Sequence, residues 1–286
     1  MGIGYQAVDR NVIDYDLWFD PETNMAFRGP RGDLSSGGGI VCIGAAQTFG
    51  RFVHRPYPAQ LSELLQRPVL NLGVSGAGPE FYLERPPLMD RLARAEIAVV
   101  QAMSARSVTA GRFRTKRMNK GVLSFVDGPM AGQDLLAQNA YQLLRDTEGE
   151  EAFQAQVKAV QERWVALHQD LAERLPERKL LLWLSSKHPG DNLDLSRSPV
   201  GTFPHFVTAA MVESVEAMGF EIVLSVLRDM PPEVLINDRT GVVEEVFKPK
   251  QFPHRPDKLR VLNTYYATSD LHNMANQKLA HALLSR

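Results

Sequence analysis

One cysteine, Cys42, in 286 residues excludes an intramolecular disulfide framework and a cysteine-rich zinc site. Net charge is nearly absent: 32 basic side chains face 33 acidic ones, for a formal charge of −1. That balance argues against a globally basic nucleic-acid binder and against a polyacidic tail. No apolar run reaches 18 residues, so no membrane span is expected. The first residues carry neither a basic stretch nor an apolar core, unlike a secretory signal. Gly2 is followed by Gln6 rather than Ser or Thr, which weakens a myristoylation site. The expectation is a cytoplasmic globular protein. Histidines 54, 188, 205, 254 and 272 show no HxH or HxxxH pairing, so no metal site is expected.

What is present is a strand-helix alternation. Short β-rich runs occur at Ile40–Ile43, Val69–Leu72, Ile97–Gln101, Leu180–Leu184 and Glu221–Leu227. Helical spacing fills Ala59–Leu65, Pro87–Arg94, Phe153–Arg174, Phe206–Met218 and Ser269–Ser285. Continuous apolar strands between amphipathic helices predict a parallel sheet covered on both faces. Ligands of such sheets bind at the carboxyl ends of the strands. Residues 1–38 read as an irregular arm packed on the domain, with residues 39–286 as one α/β domain. About 80 residues separate the third strand from the fourth, too many for a simple crossover. Residues 104–149 therefore read as a lid insertion.

Two strand ends carry glycine-rich turns. The first is Gly44-Ala45-Ala46-Gln47-Thr48-Phe49-Gly50, and the second is Asn71-Leu72-Gly73-Val74-Ser75-Gly76-Ala77-Gly78. Neither contains the Lys-Ser/Thr of a phosphate loop, and neither places a dinucleotide fingerprint on the first strand. Together they resemble the blocks of the SGNH/GDSL hydrolase superfamily. Its Gly-Asp-Ser-x-Thr-x-Gly block matches at Gly44, Thr48 and Gly50 but has Ala45 and Ala46 in place of Asp and Ser. Its Asn-x-Gly-x-x-Gly block matches at Asn71, Gly73 and Gly76. Ser104 falls where the family has an oxyanion Asn, and Ser269-Asp270-Leu271-His272 falls on the Asp-x-x-His block with the acid displaced by one position. The wider pattern, including Phe27-Arg28-Gly29-Pro30, also resembles an uncharacterised proteobacterial domain family of unknown function.

The resemblance implies a flavodoxin-like, SGNH-like three-layer sandwich: a five-stranded parallel sheet in the order 2-1-3-4-5. It implies a cleft lined by Gly44, Ala46, Gln47 and Asn71, with His272 as base, Asp270 as its orienter, and Gly76 and Ser104 polarising a substrate oxygen. Ala46 has no nucleophile, and Thr48 is the one hydroxyl near enough in sequence to replace it. The expected activity is group transfer or ester cleavage on a glycan or another anionic, hydroxyl-bearing small molecule, without the usual serine and without a cofactor. A non-catalytic binding protein is the alternative that Ala45 and Ala46 favour.

Between residues 106 and 120 lie six basic residues (Arg106, Arg112, Arg114, Lys116, Arg117, Lys120) and no acidic one. Such a run after a strand end reads as a patch for phosphate, sulfate or an acidic glycan, with Arg106 and Arg112 as its leading contacts. It also opens a sulfotransferase reading, in which phosphoadenosine phosphosulfate sits on the Gly44–Gly50 turn with Arg51 and meets Arg106 and Ser107. His188, in Lys187-His188-Pro189-Gly190-Asp191-Asn192, would line the same cleft or sit in an ordinary turn.

Overall fold

The computed structural model describes residues 3–34, 37–116, 121–196, 198–246 and 261–285. Gly2, the Ser35-Ser36 pair, Arg117, Lys120 and His254 lie outside the described residues. In chain order the elements are α1 (Ile3–Asp9), β1 (Trp18–Asp20), β2 (Met25–Phe27), β3 (Ile40–Ile43), α2 (Ala46–Phe49), α3 (Tyr57–Leu65) and β4 (Val69–Asn71). Then come α4 (Pro79–Leu83), α5 (Pro86–Ala93), β5 (Ile97–Gln101), β6 (Phe113–Thr115), β7 (Val122–Phe125), β8 (Asp134–Leu136) and α6 (Ala137–Arg174). The chain closes with β9 (Arg178–Ser185), α7 (Ala209–Ala217), β10 (Phe220–Val226), β11 (Glu233–Val234), β12 (Leu262–Asn263) and α8 (Ser269–Leu284).

The central sheet runs β4-β3-β5-β9-β10 with every pairing parallel. Counted along the five sheet strands this is the order 2-1-3-4-5, the flavodoxin-type, SGNH-like arrangement that the resemblance implies. Successive strand residues point to opposite faces, and both faces are apolar. Val41 and Ile43 of β3, with Ala98, Val100, Leu181 and Trp183, pack toward α4, α5, α6 and α7. Ile40 and Cys42, with Val99, Leu180 and Leu182, pack toward α3 and α8. Cys42 is fully buried, and burial raises its thiol pKa. Three layers follow directly from that alternation.

Two regions differ from the sequence reading. The arm is not wholly irregular, because it contains α1 and the hairpin β1–β2. The insertion after β5 is a three-stranded antiparallel sheet, β6-β7-β8, which leads into α6. That helix starts 16 residues before Phe153 and is interrupted by Gly149, whose φ of 88° is not helical. Helix α7 starts later than residue 206, because Phe206 has a φ of 63°. Among the described residues no helix is long and apolar enough to cross a membrane.

Arg28, just after β2, ties the arm to the domain. Its side chain is 3% exposed. One terminal nitrogen donates to the carbonyls of Phe49 and Gly50, and the other donates to those of Val53 and His54, at 2.7 and 2.9 Å. The guanidinium lies 4.8 Å from the Tyr15 ring centroid, and burial pushes its pKa down to about 10. Arg28→Met should strip four buried carbonyls of their donor and cost about 3 kcal/mol. Urea unfolding should report this as a lower midpoint at unchanged slope. Arg28→Lys should recover little, because a point ammonium cannot span two pairs of carbonyls.

Candidate functional site

The turn after β3 is the place where the family resemblance puts a nucleophile. Gly44 is required there, since a Cβ would collide with the Thr48 hydroxyl and lie 2.7 Å from Gln101 Cβ. The Gly44 N–H donates to the Tyr82 hydroxyl at 3.0 Å, and the Ala45 N–H donates to Gln101 Oε1 at 2.9 Å. The Tyr82 hydroxyl in turn donates to the carbonyls of Gly44 and Leu72. These two backbone donors, which an oxyanion or a phosphate would use, are therefore taken by the chain's own side chains. Ala45, Ala46, Gln47 and Thr48 are all buried.

Thr48 does not present a nucleophile. Its hydroxyl is fully buried and lies 3.1 Å from the Tyr57 hydroxyl. The Asn71 amide is engaged with backbone at both ends. Its Nδ2 donates to the Thr48 carbonyl at 2.9 Å and its Oδ1 accepts from the Gly73 N–H at 3.0 Å, so it splices the β4 turn onto α2. Gly73 is held by contact, since a Cβ there would meet the Phe49 nitrogen. Gly76 sits exposed in a left-handed turn with a φ of 68°.

Above this turn lies the arm. The rings of Tyr5 and Tyr15 pack against Phe49, tilted and edge-on respectively, with centroids 5.3 and 4.8 Å away. Fully buried Asp9 accepts two hydrogen bonds from Arg51, at 2.8 and 2.9 Å. Arg51 also donates to the Tyr266 hydroxyl at 2.8 Å and lies against the rings of Tyr5, Phe52 and Tyr266. Arg51 is thus committed to the arm and is not free to meet a nucleotide phosphate.

His272 occupies the first turn of α8 and is fully buried. Its Nδ1 accepts from the Tyr57 backbone N–H at 3.0 Å, its ring stacks on that of Tyr57, and its Nε2 has no partner among the described residues. Burial, and then the Arg28 charge, push its pKa down to about 3. Asp270 is exposed on the same helix, two residues away, and residues two apart do not share a helix face. The expected Asp270–His272 pair is therefore not formed, because the imidazole faces the core and its Nδ1 is already bonded to backbone.

A different cluster forms at the carboxyl ends of β5 and β9. Ser104 Oγ lies 2.8 Å from His205 Nδ1, and His205 Nε2 lies 3.0 Å from Arg106 Nη1. The His205 carbonyl accepts from the Ala105 N–H, fixing the two loops together. Burial, then Arg106, then Lys187 push the His205 pKa well below its ordinary value. Lys187 is itself brought down to about 8 by burial, partly offset by Asp191, and its Nζ donates to the Val207 carbonyl at 3.2 Å. Ser104 and Arg106 were legible from sequence, whereas His205 appeared there only as one member of an improbable metal set. It lies 101 residues from Ser104, and no local pattern links them.

Two members of the basic run are paired with acids from farther along the chain. Arg112 pairs with Asp127 and with Glu148, the latter at 2.7 Å, and Lys116 pairs with Asp134. Arg112 is thus a strut within the insertion and not a free contact. His188 is exposed in a turn, where its Nδ1 accepts from the Gly190 N–H. Among the described residues no group of three His, Cys, Asp or Glu side chains is placed to hold a metal ion.

The buried histidines make a pH prediction. His272 and His168 have folded pKa values near 3 and 4, the latter lowered by burial, against about 6.5 in an unfolded chain. Below pH 6.5 the unfolded state binds protons that the folded state refuses, so stability falls as pH falls. Between pH 7 and pH 5 each should cost roughly 2 kcal/mol. Burial of Glu80 raises its pKa and acts in the opposite direction. Urea midpoints measured across this range should drop, and His168→Phe should flatten the slope.

With this geometry in place, the comparisons can be read. No curated protein matches the sequence. Among solved structures, the chain is similar to a lipase from a goat rumen metagenome (11% identity, 86% of this chain and 97% of that one, TM-score 0.43). It is also similar to an acetylxylan esterase from Geobacillus stearothermophilus (11% identity, 87% and 94%, TM-score 0.42). A third is a carbohydrate esterase family 2 enzyme from Corynascus thermopiles (Myceliophthora fergusii), at 12% identity over 90% of this chain and 67% of that one, with a TM-score of 0.43. The fold assignment rests on strand order and parallel sense, not on these scores. The family model described as "Domain of unknown function (DUF6473)" matches residues 3–119 and 142–251, more than half of the sequence, and the chain belongs to that family.

Proposed function

We propose that this protein is a non-hydrolytic SGNH-like binding protein whose ligand, an anionic small molecule or glycan, is received at Ser104, Arg106 and Lys187. The observation that carries the reading is the Arg106–His205–Ser104 hydrogen-bond chain. A guanidinium can only donate, so His205 Nε2 must accept and Nδ1 must carry the proton. His205 therefore donates to Ser104 Oγ and cannot take its proton as a base. The Ser104 hydrogen is left to point elsewhere, which makes the hydroxyl a polarised donor. Beside it stand the remaining N–H groups of half-buried Arg106 and the ammonium of Lys187. Donors without an acceptor suit a carboxylate, sulfate or phosphate, and the carboxyl edge of a parallel sheet is where a ligand is expected.

The serine-hydrolase route finds no support at the β3 turn. Ala46 lacks the hydroxyl, Thr48 is engaged in the core, His272 is neutral and inaccessible, and the arm lies over the turn. Likewise, the Gly44 and Ala45 donors that a nucleotide sulfate donor would need are occupied.

Two measurements test this. Calorimetric titration with inorganic sulfate should show saturable binding that weakens about tenfold or more in Arg106→Ala and less in Ser104→Ala. Equal affinity in wild type and Arg106→Ala would sink the proposal. Separately, Ala46→Ser should give no p-nitrophenyl acetate hydrolysis above the wild-type background. A serine-dependent rise in rate would instead restore the hydrolase reading.

A further inference from the structure

Away from the sheet edge, an open groove of about 490 Å³ runs between α3 and α8. That volume lies in the range of small-molecule sites. Its walls carry hydrogen-bonding groups with almost no net charge. Gln60 comes from α3, Ser269, Asn273 and Asn276 come from α8, and Leu64 supplies an apolar surface. Arg55 and Glu63 also line it, but they pair with each other and cancel. The Gln60 amide nitrogen donates to the Arg55 carbonyl at 2.6 Å, which turns its oxygen away from that bond as an available acceptor.

Unpartnered polar atoms run along α8 beside this groove. Among the described residues, Asn276 Oδ1 is buried without a hydrogen-bond partner, and so are Thr268 Oγ1 and His272 Nε2 on the preceding turns of the same helix. Residues four apart share a helix face, so these three atoms form one stripe, and Asn276 is the member that reaches the groove. A buried acceptor without a donor is costly.

We infer that the α3–α8 groove is a second binding site, for a neutral polyhydroxylated molecule such as a monosaccharide or a cyclitol. Asn273 and Asn276, three residues apart on one helix face, present two amides at the spacing of neighbouring turns. Each amide offers a donor and an acceptor, which matches adjacent hydroxyls that both donate and accept. Leu64 supplies an apolar surface for the C–H face of a ring. Arg55 and Glu63 pair with each other, and His54, also on the groove wall, lies 3.9 Å from Asp238, so no cation there is without an acid beside it, which separates this site from the one at Arg106.

The test is amide NMR titration of the full chain with D-glucose, D-xylose and myo-inositol. At least one should produce saturable shifts in the side-chain amides of Gln60, Asn273 and Asn276, and inorganic sulfate should not displace it. Asn273→Ala, at an exposed position, should weaken that binding about tenfold without moving the thermal midpoint. Asn276→Ala should weaken it further. The inference is overturned if none of the three shifts these amides, if Asn273→Ala leaves the titration unchanged, or if sulfate competes. A groove that holds only ordered water would give the first of these results.

Discussion

A buried guanidinium with no carboxylate partner among the described residues is the constraint around which this molecule is organised. Arg28 would be costly to bury alone, and four backbone carbonyls between Phe49 and His54 offset that cost. The chain there must therefore turn its carbonyls inward, and the next residues begin α3. Tyr57, at the start of α3, then offers its N–H to His272. The same cation discourages protonation of that imidazole. One side chain thus joins the hairpin of the arm, the turn after β3 and the start of α8 into a single mechanical unit.

Under the proposed function, the polar roles shift along the sheet edge. At β3, groups that would serve a reaction elsewhere in this fold are used for packing: Asn71 splices two turns, His272 stacks on Tyr57, and Gly44 admits Gln101 and Thr48. Two strand ends farther along, at β5 and β9, the polar groups keep donors to spare. Fold and site are separable properties, and here the usual location is closed while a neighbouring one stays polar.

How much of this the sequence could reveal depended on range. The five sheet strands were readable because each carries a short, nearly continuous apolar run, as burial on both faces favours. The hairpin β1–β2 was not, since its strands are three residues long and lie in a polar arm. Arg112 and Lys116 read as free cations in the sequence because the acids that pair with them, Asp127, Asp134 and Glu148, lie well beyond them in the chain. Ser104 and Arg106 could be named from their place after a strand, but the histidine that joins them arrives from another loop. Burial was the least visible quantity: nothing in the residues around His272 says that its ring turns inward.

Cys42 shows what the layered architecture means for redox behaviour. The chain's one thiol sits in β3, an interior strand flanked by β4 and β5, beneath α3 and α8, and burial disfavours its reactive thiolate. Oxidants and alkylating reagents can meet it only when that interior strand is laid open. The native protein is therefore indifferent to the thiol-disulfide poise of its surroundings, and loss of that indifference is a direct chemical signature of global unfolding.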